Sequence, residues 1–92
     1  MAYTKKVNIC GIDFTVEELP PNARDDTFMG RSDIVACKIS LNADMPAQQK
    51  QVTLIHEVLH CILDNHSFAK ESNDEVLVST LASELYRLGL KL

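Results

Sequence analysis

The chain has no tryptophan, and aromatic residues make up only 5% of its 92 positions. A core assembled from such a sequence has to be mainly aliphatic. No apolar run approaches the length that crosses a bilayer, and Met1-Ala2-Tyr3-Thr4-Lys5-Lys6 leads into Val7-Asn8-Ile9-Cys10-Gly11 without a leader-like apolar segment. A cytoplasmic location is the expectation, with no membrane partner. Basic runs are missing as well, and Lys plus Arg (9) fall short of Asp plus Glu (13), for a net charge of −4. That balance argues against nucleic acid as a partner, because phosphate binding rests on clustered positive charge. No C-x-x-C pair occurs; Cys10, Cys37 and Cys61 are widely separated. Neither a zinc ribbon nor a redox dithiol is indicated, and reduced, packing thiols are expected. Repeats, low-complexity stretches and linkers are absent, so residues 1–92 read as a single small domain.

What remains is patterned. Val7 and Ile9, then Ile12, Phe14 and Val16, alternate around Cys10-Gly11. This predicts two antiparallel strands, 6–10 and 12–17, joined by a tight turn at the glycine. Pro20-Pro21 ends the second strand, since proline has no N–H to give a ladder. Residues 24–33 are polar, contain Gly30 and read as a loop. Residues 34–41 read as a third, half-exposed strand with Val35, Cys37, Ile39 and Leu41 on one face and Lys38 and Ser40 on the other. A helix is expected from Pro46, at its first helical position, to about Asn65. Its apolar arc is Val52, Ile55, Val58, Leu59, Ile62 and Leu63. A second helix starts near Ser72 or Asn73, buries Leu77, Val78, Leu81, Ala82, Leu85 and Leu88, and ends at Gly89 as C-cap. The fold class is α+β: a small, largely antiparallel three-stranded sheet carrying two helices.

The chemistry lies within the first helix, where His56-Glu57-Val58-Leu59-His60 spells H-E-x-x-H. Residues four apart differ by about 40° around a helix and about 6 Å along it, so both imidazoles lean the same way and can grip one metal ion. Zinc accepts neutral imidazole nitrogen and tolerates two ligands from one helical turn. Glu57 flanks that pair, placed to take a proton from a water on the metal. The plainer alternative is an amphipathic helix with two histidines on its polar edge.

A catalytic zinc site needs a third protein ligand. His66 sits at the spacing H-E-x-x-H-x-x-G-x-x-H, but Leu63 stands where that pattern has the turning glycine. If the helix persists, His66 lies about 9 Å beyond His60 along the axis, out of reach. Glu75, near the start of the second helix, is favoured if that helix packs antiparallel to the first. Against it, Ser72-Asn73-Asp74-Glu75 matches the capping box S-x-x-E, which would engage Glu75 with the Ser72 amide. Asn73 could cap instead. Asp74 is a weaker third candidate, favoured near a helix N-terminus in any case.

From residue 30 to residue 86 the chain resembles the small zincin-like metallopeptidases of the ImmA/IrrE type, many of them encoded by phages and mobile elements. The likeness rests on residues 33–41, on Thr53-Leu54-Ile55-His56-Glu57-Val58-Leu59-His60, and on a helix beginning Glu75-Val76-Leu77-Val78. It differs in Leu59, where glycine is frequent, and in Val78, where alanine is usual. The resemblance implies His56, His60 and Glu75 as metal ligands, Glu57 as catalytic base, and hydrolysis of a peptide bond. The oxyanion donor is open among His66, Arg31 and Tyr86. A peptide or protein substrate is expected along the edge of strand 34–41. Two rivals stand beside the zinc peptidase. One is a non-catalytic, phage-type binding module that does not need Glu57. The other is a structural zinc site closed by a fourth ligand such as His66.

Overall fold

The hairpin expected around Cys10-Gly11 forms. In this computed structural model, which describes residues 4–92, β1 (Thr4–Ile9) pairs antiparallel with β2 (Ile12–Leu19), Ile9 opposite Ile12. Cys10 and Gly11 take φ of 53° and 85°. Positive φ at both central residues is what the two-residue turn matched to strand twist requires. The Asn8 side chain accepts from the Gly11 amide at 3.0 Å and fixes the turn.

The sheet has four strands and is mixed, a correction to the three-stranded, largely antiparallel expectation. β3 (Gly30–Asp33) and β4 (Lys38–Asn42) complete it in the order β1-β2-β4-β3, with β2 and β4 parallel. The loop expected over 24–33 thus ends in a strand, and the strand expected over 34–41 begins as a turn. Asp33 Oδ1 accepts from the Ala36 amide at 3.0 Å, and Cys37 sits at φ 53°, so the chain reverses through the apolar residues Ile34 and Val35. Both are exposed. β4 lies inside the sheet, which removes 34–41 as an open edge; the edges are β1 and β3. Interior position also explains why Ser40 and Asn42 are buried alongside Ile39 and Leu41. Asn42 ties down the approach to β3: its amide and its side-chain Nδ2 donate to the carbonyls of Met29 and Phe28, at 2.9 and 2.8 Å.

α1 (Ala47–Asn65) follows, with Pro46 at the N-cap rather than inside the first turn. It crosses the sheet, and Ile9, Phe14, Val16, Ile39, Leu41, Leu54, Val58 and Cys61 form one buried cluster. The buried arc is rotated from the expected one toward Leu54 and Cys61; Ile62 is exposed. α1 ends in a glycine-free Schellman motif: Ser67 adopts φ 66°, while the amides of Ser67 and Phe68 bond to the carbonyls of Asp64 and Leu63. A four-residue helix, α2 (Ala69–Ser72), was not expected; α3 (Glu75–Arg87) then begins three residues after the Ser72 position. Only Val78 and Ala82 of α3 are buried; Leu77, Leu81 and Leu88 of its expected inner face are exposed. Gly89, at φ 111°, closes α3 as predicted, its amide bonding to Tyr86 and that of Leu90 to Leu85.

Cys61 is 2% exposed, and burial pushes its thiol up from 9.0 to about 11, the charge of Glu57 adding to the rise and a side-chain hydrogen bond with Ser32 opposing it. Between pH 9 and 11 the native state therefore keeps a proton that the unfolded chain has lost, so this contribution to stability falls as pH rises. Cys61→Ala loses packing at neutral pH, but the gap to wild type should narrow by up to ~3 kcal/mol across that window, read by urea unfolding at a series of pH values. A gap of constant size would contradict the raised thiol.

Candidate metal centre

α1 turns one side to the sheet and another to α3. The register between the two helices follows from two contacts: Glu75, at the start of α3, reaches His60 at 2.9 Å, and Ser79 Oγ, one turn further on, lies 3.4 Å from His56 Nδ1, while Ser72 Oγ of α2 lies 3.1 Å from His60 Nδ1. Moving forward along α3 therefore means moving backward along α1, so the helices are antiparallel. Their contact is dry on one side, where Val78 and Ala82 of α3 are fully buried and Ile55 of α1 is 1% exposed. Beside that seam the histidines and Glu75 meet.

The capping expectation resolves in an unanticipated way. Asp74 is the N-cap of α3, its side chain accepting from the Leu77 amide at 3.1 Å. Glu75 is left free in the first turn, where a carboxylate is favoured by the exposed amides of the helix start. Neither Ser72 nor Asn73 caps α3, and Asp74, weighed as a third ligand, is engaged in the cap. Glu75 Oε1 stands 2.9 Å from His60 Nε2, and Oε2 stands 3.3 Å from His56 Nε2. The two Nε2 atoms are 3.0 Å apart.

Two imidazole nitrogens this close, both facing a carboxylate, have to share either an N–H hydrogen bond from one ring or a cation held by all three groups. The dimensions suit a cation. Ligands about 2.0–2.1 Å from a tetrahedral zinc ion stand about 3.3 Å from one another. Among the described residues His56, His60 and Glu75 form the group whose ligand atoms converge within 4.8 Å, with no fourth His, Cys, Asp or Glu in it. Each ring also has a hydroxyl at its remaining nitrogen, which allows Nδ1–H to be satisfied while Nε2 stays bare.

His66 is not part of this group. It is the C-cap of α1, and its Nε2 lies 3.5 Å from Cys10 Sγ at the hairpin turn. The closed, four-ligand site considered above therefore lacks its fourth member. Glu57, 9% exposed, lines a cleft of about 450 Å³ together with His56, Glu75, Met29, Gly30 and Thr53. None of the three candidate oxyanion donors lines it: His66 is at the hairpin, Arg31 stacks over the Phe28 ring at 5.9 Å, and Tyr86 lies outside the lining. The neutral side-chain donors at the cleft are Gln49, Thr53, Ser79 and Ser83, the Thr53 hydroxyl being turned to Met45 Sδ at 3.9 Å, and no sequence pattern marks any of them as an oxyanion donor.

No protein-family model, curated protein or solved structure matches the chain.

Two substitutions separate the roles of neighbouring acids. Glu75→Ala should release divalent metal, measured by chelator competition, beyond the roughly 10–100-fold typical of losing a group that only supports a ligand. Asp74→Ala should lower stability by ~1 kcal/mol with metal affinity nearly unchanged. His66→Ala should leave the metal in place; metal loss in that variant would show that the wrong third ligand has been assigned.

Proposed function

We propose that the chain is a zinc-dependent peptidase of the zincin-like, ImmA/IrrE type. The observation that carries this reading is the meeting of His56, His60 and Glu75 from two helices beside a cleft that Glu57 also lines. Zinc held by those three groups would supply Lewis-acid polarisation of a carbonyl and a water acidified to near neutral pH. Glu57, adjacent to His56 on the chain but not among the converging donors, takes the proton of the attacking water and returns it to the leaving amine. Its burial keeps bulk water from competing for that proton.

The substrate is a peptide laid along β3. Met29 and Gly30, where that edge strand begins, line the cleft, so a strand added there would run past His56 and Glu57. The three cysteines are unpaired, which suits a reducing, cytoplasmic setting. No helix among the described residues is long and apolar enough to cross a membrane.

A second reading, the non-catalytic binding module, has its own support in the apolar residues that α3 leaves exposed, Val76 at 78% and Leu77 and Leu81 at 37% and 39%. Glu57→Gln distinguishes the two. Under the peptidase reading it keeps its metal and loses about 10²–10⁴-fold in the rate of cleaving a peptide that the wild type cleaves. Wild-type rates in the variant would remove Glu57 as the base. No cleavage by wild-type, zinc-loaded protein across a broad peptide library would favour the binding module.

A further inference from the structure

Ser72 is the one buried residue of α2, 3% exposed, in a helix of only four residues. Its surroundings are tied by backbone hydrogen bonds: the amides of Ser72, Asn73 and Asp74 bond to the carbonyls of Phe68, Ala69 and Glu71, at 2.8, 3.0 and 3.1 Å. The side chain on this short, braced turn ends 3.1 Å from His60 Nδ1. Capping, the role its S-x-x-E context suggests, is performed by Asp74. The hydroxyl is thereby free for the histidine.

The two histidines are not equally served. His56 lines the open cleft, and its hydroxyl neighbour Ser79 is on an exposed residue at the longer distance of 3.4 Å. Water can stand in for Ser79. His60 does not line the cleft, and Ser72 is closed off from solvent, so loss of its oxygen leaves Nδ1 with no ready substitute. An imidazole that donates through Nδ1 presents a bare lone pair at Nε2, the atom that faces His56 and Glu75.

We infer that Ser72 is a positioning residue for His60: its buried hydroxyl accepts the Nδ1–H hydrogen bond, holding the ring in the tautomer and orientation that aim the Nε2 lone pair at the His56–Glu75 pair. The inference deepens the metal-centre reading and rests on it for its effect on affinity. α2 then has a purpose in the fold. It interrupts the link between α1 and α3 with one rigid turn, placing an oxygen behind the second histidine of the motif.

Ser72→Ala removes one oxygen and keeps the β-carbon, so the packing of α2 is preserved. Zinc affinity by chelator competition should fall about 10–100-fold, whereas Ser79→Ala should change it far less. Histidine ring-nitrogen NMR on wild-type, zinc-loaded protein should show His60 protonated at Nδ1, with that proton protected from solvent exchange. In Ser72→Ala the protection should vanish. Unchanged affinity together with an unchanged His60 signal in Ser72→Ala overturns the inference, as does a wild-type Nδ1 proton exchanging at the solvent rate. Should the wild type bind no zinc, the metal-centre reading fails by itself. The metal-free spectra then decide on Ser72: a His60 signal altered by Ser72→Ala supports the contact, and an unaltered one overturns it.

Discussion

Everything in this small molecule depends on how α1 is buried. The helix has to be dry against the sheet, where Leu54, Val58 and Cys61 join Val16, Ile39 and Leu41, and dry again against α3 beside Ile55. Only the remaining arc can hold polar groups near solvent, and His56 and His60 occupy it, each with a side chain less than a fifth exposed. The sheet fixes the pose of the helix, and the helix fixes the direction of the imidazoles. Gly30 shows how close that seating is: a Cβ there would come within 2.7 Å of the Thr53 methyl. The edge strand that borders the cleft can pass the helix only because it begins without a side chain.

The third donor is placed by what happens between the helices. Ser67 in the left-handed region stops α1, α2 adds one turn, and Asp74 starts α3. Adjacent acids then divide the work: one satisfies the helix, the other faces the histidines. A carboxylate in the first turn of a helix is electrostatically favoured there, which suits the place Glu75 takes beside the histidines.

The readable parts of the sequence were those where a side-chain pattern and a backbone requirement coincide. The i, i+4 histidines, the hairpin at Cys10-Gly11, the ends of α1 and the closing Gly89 are of that kind. β3 was not legible, because Gly30-Arg31-Ser32-Asp33 carries no apolar alternation; a short polar edge strand is held by its backbone and by Asn42 rather than by a buried face. Ile34 and Val35 misled in the opposite sense, being apolar residues at a turn. The inner faces of both helices differ from the arcs their apolar residues suggest. α1 is apolar on several sides, and its buried centre was set by the sheet, while α3 covers less than its leucines suggest. Ser72 was hidden by a short motif that fits the capping rule in letters while the neighbouring aspartate performs the cap.

The donors themselves are local in the chain. His56, Glu57, His60, Ser72, Glu75 and Ser79 all come from one helical hairpin, whereas β2 and β4 become parallel neighbours only after the chain has travelled out to form β3 and returned. At their widest the two joins close similar loops: Ser79 meets His56 across a separation of 23, and Thr15 pairs with Lys38 across the same separation. The most local pairing in the fold is instead the β1–β2 hairpin, where Ile9 stands opposite Ile12. The candidate donors meet without any strand residue, and the sheet acts on the three converging groups through the seat it gives α1.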